Sequence, residues 1–553
     1  MKKVAIFCFI ITLSFIVVPS VMAATYTDIF DSQAMYQLVN GGVASNSKQG
    51  EGVIVAVLDS GVDVDHPDLK NNIWHNPREI KDNLDNDNNG YIDDVMGWDF
   101  ASNSSDPRPK FDDGYVDEGM DHGTAISGII IGLAPKAQIM PLRVLTGDGV
   151  GDSSNLVTAI KYAVNNGASV INLSLVGYEN SDELGKTIKW ANDRGVVVVA
   201  ASGNSDSGHS MDLSVNPTYP ACYGDKNGKW VLAVSSLNNS GSRSAFSNYG
   251  AKCVDISAPG ENLTSLAFYS PKKKFDNLYL YNYTGTSFAA AVVTGGAALL
   301  KSQNLFWFPD QTIAALTKSA QNIDAQNPQY VGKLGSGMID LRAALSFVPS
   351  STVGYLIKTS NFPAVYYLDS QSRRHLFSNE ATFRTWYSGS WAEQNVKTVS
   401  QSFFDGLQVG SNITTRSGSL LKFDNSSNVY VATTNEQICL LDDLGMKSLY
   451  NASSTSKKVS LIQTSFESDY AKNSSCKISS DSKYPDGSII QYQNSSDYWY
   501  IDGGAQRKLT TQGFRENGFS DVDVIKEVSP NIIYTMGQNI TDWEKGIFPY
   551  KKI

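Results

Sequence analysis

Four residues in separate segments carry side chains that could together perform acyl transfer through a serine. Asp59 follows a run of apolar residues, His122 stands before two small residues, and Ser287 follows two small residues ahead of a long apolar stretch. A serine nucleophile needs a histidine base, a carboxylate that orients the histidine, and hydrogen-bond donors for the oxyanion. Asn204, which follows another apolar run, offers a side-chain amide as such a donor.

Each of these residues also has an ordinary structural explanation. A histidine at the start of a helix often caps it or lies at the surface, and a serine before a helix is often its N-cap. An aspartate after a strand is often part of a turn. We expect His122 to open one helix and Ser287 to lie at the start of another. There the N–H of Ser287 and the helix dipole could stabilise an oxyanion.

The segments that must position these residues alternate between short apolar runs and longer amphipathic stretches. Apolar runs at 53–58, 138–144, 169–173, 196–200 and 230–234 predict buried strands. Helices are predicted at 122–131, 154–166, 182–194 and 288–302. This alternation indicates an α/β fold with a parallel sheet covered by helices on both faces. Ligand sites in such sheets lie beyond the carboxyl ends of the strands, which is where Asp59 and Asn204 fall.

The order Asp, His, Asn, Ser resembles that of the subtilisin family of serine proteases. The strongest matching stretches are 55–63, 66–69, 122–124, 201–204 and 285–287, with weaker ones at 170–175, 219–220, 245–250 and 258–260. The resemblance covers roughly residues 28–348 and leaves the rest of the chain unassigned. It implies a subtilisin-like endopeptidase that acts on protein or peptide substrates.

The family resemblance also implies a role for each residue of the site. Ser287 would attack the peptide carbonyl, His122 would carry the proton, and Asp59 would hold the imidazole. Asn204 and the N–H of Ser287 would bind the oxyanion. The peptide bond between Tyr219 and Pro220 would be cis.

The resemblance places the substrate as an added β-strand between two short segments. One edge is Gly149, Val150 and Gly151, and the other is Ser174, Leu175, Val176 and Gly177. Three positions depart from the usual pattern. Ala291 and Val292 stand where a proline and a histidine usually follow the serine, and Val176 replaces an expected glycine.

Two other functions compete with the endopeptidase. A subtilisin-like scaffold without activity could serve as a binding protein, and the triad could hydrolyse esters. The intact set of Asp59, His122, Asn204 and Ser287 disfavours the first. The extended, glycine-bordered edge favours peptides over esters.

An acidic segment suggests a structural calcium ion. Oxygen ligands recur at alternate positions around Gly90, and the predicted set is Asp85, Asp87, Asn89, Tyr91 (through its carbonyl) and Asp94. Met96 stands where an EF-hand loop has glutamate. The alternative is a solvated polar turn, but so many carboxylates repel one another without a cation. The family resemblance implies Asp68 as a second calcium ligand.

The first residues are typical of an export signal. Lys2 and Lys3 precede an almost wholly apolar run at 4–18, and a small-residue cleavage pattern ends at Ala23. We expect residues 1–23 to be removed and the protein to be secreted or held at the cell surface. The alternative is an uncleaved membrane anchor, for which the run is short. The net charge of −10 disfavours a nucleic-acid partner.

The chain of 553 residues is too long for one hydrophobic core. We predict a peptidase domain at 24–349 and a β-rich domain of about three repeats at 350–553. Gly354, Gly418 and Gly487 open similar hairpin-like segments. Aromatic residues there could contact a cell surface or polymer, although such residues more often pack within the fold. We expect a monomer.

Four cysteines remain once the signal has left: Cys222, Cys253, Cys439 and Cys476. An even number in an exported chain suggests two disulfides. Three pairings are open. Proximity in sequence favours Cys222 with Cys253 and Cys439 with Cys476.

Overall fold

The protein is described by a computed structural model covering residues 25–112, 114–205, 210–225, 228–347, 354–394, 396–434, 436–450 and 459–550. The predicted signal peptide at 1–23 lies outside these ranges. The predicted domain boundary at 349–350 also lies outside them.

The strands of the N-terminal region include a central set of buried, mostly β-branched and aliphatic runs. They are β1 (Ile54–Asp59), β2 (Trp98–Asp99), β3 (Gln138–Arg143), β4 (Val170–Leu173), β5 (Val197–Ala201), β6 (Gly224–Asp225), β7 (Gly228–Lys229), β8 (Leu232–Leu237), β9 (Ile256–Pro259), β10 (Leu263–Leu266) and β11 (Tyr279–Tyr283). Seven of them form one parallel sheet in the order β2-β3-β1-β4-β5-β8-β9.

Helices cover both faces of this sheet. They are α1 (Tyr26–Asp31), α2 (Ala34–Leu38), α3 (Asp117–Leu133), α4 (Ser153–Asn165), α5 (Asp182–Asp193), α6 (Thr286–Gln303), α7 (Pro309–Lys318) and α8 (Leu341–Leu345). Val55 and Val57 of β1 pack in the cluster that includes α3 and α6. Ala56 and Leu58 pack in the cluster that includes α4 and α5. Because successive strand side chains point to opposite faces, both faces of the sheet are buried, and the predicted α/β architecture is confirmed.

The largest error in the predicted helices concerns His122. The helix α3 begins at Asp117 rather than at His122, so the imidazole projects from the second turn instead of the first. Met120 N–H already donates to the carbonyl of Val116, the N-cap residue. The helix therefore extends five residues further towards its N-terminus than predicted, and an acidic residue such as Asp117 is favourable in a first helical turn.

Two covalent predictions are confirmed. Disulfides join Cys222 to Cys253 and Cys439 to Cys476, with Cα–Cα distances of 4.7 and 4.9 Å. The Tyr219–Pro220 peptide bond is cis.

The C-terminal region is β-rich, as expected, and contains three five-stranded sheets. Its strands are β12 (Tyr355–Thr359), β13 (Tyr366–Leu368), β14 (Arg373–Leu376), β15 (Val396–Val399), β16 (Gln408–Val409), β17 (Leu420–Phe423), β18 (Val429–Ala432), β19 (Gln437–Leu441), β20 (Val459–Ile462), β21 (Ala471–Ile478), β22 (Ile489–Tyr492), β23 (Tyr498–Asp502), β24 (Ala505–Leu509), β25 (Val524–Val528) and β26 (Thr535–Met536). Short helices accompany them: α9 (Glu380–Arg384), α10 (Gln401–Gly406), α11 (Asp443–Leu449) and α12 (Thr511–Glu516).

The three sheets share one strand order. They run β15-β12-β13-β14-β16, β20-β17-β18-β19-β21 and β25-β22-β23-β24-β26.

Arg416 is buried where the sheets meet: its guanidinium lies 3.7 Å from the ring centroid of Phe519 and donates to the carbonyl of Asn517 at 2.8 Å. Burial lowers the pKa of Arg416 to about 10.

Among the described residues, no helix is long and apolar enough to cross a bilayer.

The first C-terminal sheet packs against the α/β region through aromatic rings. Phe308, fully buried before α7, has its ring centroid 4.4 Å from Tyr355 and 5.4 Å from Phe403. The ammonium of Lys397 lies 4.5 Å from the same ring, and the Tyr355 hydroxyl donates to Asp310. Residues from both regions therefore share one small apolar core.

Replacing Phe308 with alanine should lower the free energy of unfolding by about 3–5 kcal/mol, because it empties the centre of this shared core. Equilibrium denaturation followed by circular dichroism measures the effect. Phe362→Ala is the matched control, since Phe362 lies in the same sheet region with 61% of its surface exposed. It should change stability by no more than about 0.5 kcal/mol. Equal effects of the two variants would contradict a shared core.

Candidate active site

Asp59 and His122 form a direct hydrogen bond at the carboxyl edge of the sheet. Asp59 is the last residue of β1 and is fully buried. Its Oδ1 lies 2.8 Å from His122 Nδ1 and also accepts from the backbone N–H of Ser60 at 2.7 Å. A carboxylate oxygen can only accept, so Nδ1 carries the proton and Nε2 of the neutral ring keeps its lone pair. The pair is therefore arranged for a histidine base.

Glycine at position 123 allows α3 to approach β1 this closely. A Cβ on Gly123 would lie 2.1 Å from the carbonyl oxygen of Gly61 and 3.2 Å from the Asp59 Cβ. Any larger residue would push the helix, and with it His122, away from Asp59. On its other side the His122 ring packs against Phe288, with centroids 5.6 Å apart. The imidazole thus lies beside the first turn of α6.

Ser287 is the second residue of α6 and faces one predicted substrate edge. Its hydroxyl donates to the carbonyl of Ser174 at 3.3 Å, and the Ser174 hydroxyl donates to the carbonyl of Ser287 at 2.9 Å. The first N–H groups of a helix have no carbonyl one turn earlier to bond. The N–H of Ser287 is one of these groups.

Asn204 is held against the start of the same helix by Thr286. Its Oδ1 accepts from both the backbone N–H and the hydroxyl of Thr286, each at 2.9 Å. Because both partners donate to this atom, it is the carbonyl oxygen, and the amide NH₂ group is turned away from Thr286. The Thr286 hydroxyl also accepts from the N–H of Gly203 at 3.1 Å. No role for Thr286 is predicted from the sequence, where its only signal is a hydroxyl residue directly before Ser287.

The predicted substrate edges border a cleft of about 680 Å³. Its lining includes Asp59 and His122, together with all the predicted edge residues except Val150: Gly149, Gly151, Ser174, Leu175, Val176 and Gly177. Val150 is 63% exposed. Ser287 and Asn204 are not part of the lining, and Ser287 is connected to it through its two bonds with Ser174.

The predicted calcium segment brings some of its carboxylates together and adds one that was missed. Oxygen atoms of Glu79, Asp87 and Asp94 lie within 4.8 Å of one another. Burial raises the pKa of Glu79 and Asp94. Glu79 was missed because it precedes the alternating pattern. Crowded carboxylate oxygens suit a hard cation such as calcium.

The other predicted ligands make bonds within the turn or elsewhere. Asp85 accepts from the backbone N–H groups of Asn89 and Gly90, and Asn89 Oδ1 accepts from the N–H of Tyr91. Asp68 accepts from the Tyr279 hydroxyl at 2.7 Å. Asp68 belongs to neither acidic group that the described residues bring within reach of one ion.

Comparison with known proteins identifies the family. The subtilase family model matches residues 50–337. The chain belongs to the subtilase family. It is 33% identical over 291 residues to thermitase of Thermoactinomyces vulgaris, which spans 50% of this chain and 86% of thermitase. It is also 33% identical over 304 residues to subtilisin Savinase of Lederbergia lenta, covering 53% and 91% of the two chains.

Among solved structures, a protease of Pseudoalteromonas arctica aligns over 57% of this chain and 97% of its own, with 28% identity and a TM-score of 0.46. The subtilase relatives make this chain a subtilisin-like serine endopeptidase. The family match ends before the three C-terminal sheets, which it leaves unassigned.

In this subtilase, Thr286→Val should lower kcat about fivefold to tenfold. The variant keeps the shape of the side chain but removes the hydroxyl that orients Asn204, a bond worth about 1 kcal/mol. Thr286→Ser, which retains the hydroxyl, should stay close to wild type. Steady-state kinetics on a peptide substrate compare the three proteins. Unchanged turnover of the valine variant would show that Thr286 does not position the amide.

Proposed function

We propose that this subtilase is an exported endopeptidase that uses Ser287 as nucleophile, His122 as general base and Asp59 as the group that orients the histidine. The observation that carries the proposal is the 2.8 Å bond between Asp59 Oδ1 and His122 Nδ1 at the edge of the cleft. That bond leaves His122 Nε2 as the proton acceptor.

The reaction proceeds through a covalent acyl-enzyme. His122 Nε2 takes the proton of Ser287 Oγ as that oxygen attacks the peptide carbonyl. The carbonyl oxygen becomes an oxyanion, which the Asn204 amide and the Ser287 N–H stabilise. The imidazolium then gives its proton to the leaving amine, which leaves an acyl group on Ser287. A water molecule, deprotonated by His122, attacks this ester, and the imidazolium returns the proton to Ser287 Oγ as the carboxylic acid is released. Asp59 stabilises the charged ring in both halves.

Substrate binding must redirect the serine hydroxyl. In the free protein Ser287 Oγ donates to the carbonyl of Ser174. Catalytic hydrogen bonds often tighten only in the substrate complex, so we expect the bond between Ser287 Oγ and His122 Nε2 to tighten in the binding step. The substrate lies extended between the Gly149–Gly151 edge and the Ser174–Gly177 edge and adds a strand to them.

The acidic segment would hold a structural calcium ion. Glu79, Asp87 and Asp94 would supply its carboxylate oxygens, and Asp85, Asn89 and the Tyr91 carbonyl complete the predicted set or shape the turn. The ion would neutralise charges that otherwise repel in a half-buried site.

The proposed organisation is a removed signal at 1–23, a peptidase domain at 24–349 and a repeat domain at 350–553. The apolar N-terminal run supports export. The shared strand order of the three C-terminal sheets supports three repeats. Their role in contacting a cell surface or polymer, and the monomeric state, are proposals from the sequence.

Ser287→Ala should abolish cleavage of casein and labelling by a fluorophosphonate, because both need the serine oxygen. Asn204→Ala should keep the labelling site and lower kcat about a hundredfold to a thousandfold, the usual effect of removing one oxyanion donor. Turnover of a fluorogenic peptide measures kcat for both variants, and uptake of the fluorophosphonate measures labelling.

The matched control for Asn204 is Asn180→Ala. Asn180 lines the same cleft but has no proposed role in the oxyanion hole, so its kcat should change little. A wild-type protein that neither cuts casein nor takes up the fluorophosphonate would refute the proposed mechanism. A wild-type rate in Asn204→Ala would remove that residue from it.

Calcium should raise the melting temperature, by mass action, and Glu79→Gln should reduce this rise. Calcium at a hundred times Kd would contribute about 2.7 kcal/mol to stability. Glutamine keeps an oxygen acceptor for the N–H of Asn86, which Glu79 now binds, and removes only charge. Thermal scans in a Ser287→Ala background avoid self-digestion.

The control for this measurement is Asp276→Asn, which removes an exposed acid outside both acidic groups. It should show the same calcium response as the parent protein. A melting temperature that ignores calcium and chelator would refute the calcium proposal. If calcium raised the melting temperature of Glu79→Gln as much as that of the parent protein, Glu79 would not be a calcium ligand.

A further inference from the structure

The cleft carries more negative charge than catalysis requires. Besides Asp59, its lining contains the carboxylates of Asp148, Asp152 and Glu179. Among the described residues, this lining contains no lysine and no arginine, and His122 is its one titratable nitrogen side chain. Asp59 is committed to His122, so three carboxylates remain without a catalytic task.

These carboxylates flank the substrate path on both sides. Asp148 and Asp152 bracket the Gly149–Gly151 edge, and Glu179 follows the opposite edge two residues after Gly177. A peptide that lies between the edges therefore passes between negative charges on two separate chain segments. Low-dielectric walls around such a cleft strengthen the field that a bound charge experiences.

Two of the charges are fixed in place by local hydrogen bonds. Asp148 accepts from the Thr146 hydroxyl and from the N–H of Val150, and Asp152 accepts from the N–H of Ser154 at 2.7 Å as the N-cap of α4. These bonds lower the pKa of both carboxyl groups. A carboxyl group with a lowered pKa is ionised at neutral pH and stays ionised at more acidic pH than an ordinary carboxyl group.

The three carboxylates do not form a metal site. The acidic groups that the described residues bring within reach of one ion are at Glu79, Asp82, Asp87, Asp93 and Asp94, and none of these lines the cleft. The three carboxylates around the cleft are therefore not held together as a cation site.

Apolar side chains also line the cleft. Leu156 and Leu184 come from α4 and α5, and Leu175 and Tyr219 come from segments bordering the cleft. A pocket with apolar walls and acids beside them suits a side chain with a hydrocarbon stem and a cationic end. Lysine and arginine have this form: they bury the stem and keep the charged group at the polar rim.

We propose that this cleft selects cationic peptide segments, and that Asp148, Asp152 and Glu179 are the residues that determine this preference. The proposal rests on the endopeptidase function proposed above and names its substrate class. It places lysine or arginine among the substrate residues that occupy the cleft, with the stem on the leucines and the charge beside the carboxylates.

The test compares quenched fluorescent peptides that are identical except for lysine or methionine at one position, scanned from the fourth residue before the cleaved bond to the second after it. Methionine matches the length of the lysine stem without its charge. An exposed ion pair changes an equilibrium about 1.5-fold to fivefold, so three carboxylates together predict about a tenfold preference in kcat/KM. The preference should shrink in 1 M salt, where the screening length falls to about 3 Å.

The variants identify the residues responsible. Glu179→Gln alone, at an exposed loop position, should reduce the lysine-to-methionine ratio about twofold or more, and Asp148→Asn/Asp152→Asn/Glu179→Gln should bring it near one. Asparagine is as good an N-cap as aspartate, so α4 keeps its cap. Glu183→Gln is the matched control, because Glu183 is exposed on α5 close to Glu179 but does not line the cleft. It should keep the wild-type ratio.

The outcomes separate this proposal from the one on which it rests. A wild-type enzyme that cuts no peptide and takes up no fluorophosphonate overturns both. An active enzyme that cuts lysine and methionine peptides equally overturns the cationic preference alone. A preference that survives in both Glu179→Gln and the triple variant overturns the assignment to these carboxylates.

Discussion

The site depends on one buried hydrogen bond, between Asp59 and His122. A carboxylate with no solvent contact is costly unless hydrogen-bond donors reach it. Asp59 Oδ1 accepts from His122 and from the N–H of Ser60, whereas the buried Oδ2 has no hydrogen-bond partner among the described residues. That requirement draws α3 onto the end of β1, which is sterically allowed because position 123 is glycine. The packing of α3 against α6 then brings His122 beside Phe288, which directly follows Ser287, the proposed nucleophile.

The Ser287 side of the site is held by a second set of bonds, which joins the segment after β5 to the start of α6. Thr286 bonds both Gly203 and Asn204, so one hydroxyl ties the strand end to the helix and sets the direction of the amide. Ser174 attaches the serine to the substrate edge in the same way. Catalytic and substrate-binding parts therefore share the rigidity of one parallel sheet, as positioning within a fraction of an ångström requires.

The charge around the cleft and the aromatic contact with the C-terminal sheets lie outside this catalytic frame. The cleft carboxylates are on loops and a helix cap, where changes cost little stability and can alter the choice of substrate. Phe308, by contrast, lies in a core shared by two regions of the chain. The cleft is therefore open to solvent, whereas the surface around Phe308 is buried by the C-terminal sheet.

The sequence alone determined the sheet, because apolar runs are local signals. It determined the candidate triad through the short motifs around Asp59, His122 and Ser287, whose order along the chain resembles that of the subtilisin family. Asp59 and Asn204 follow strands, and this order along the chain predicts a shared edge. The grouping of Glu79 with Asp94 and the bonds of Thr286 to Gly203 and Asn204 were decided by tertiary structure. Both depend on partners that are distant in the chain or outside a local pattern. Contacts between such residues leave no periodic signal in the sequence.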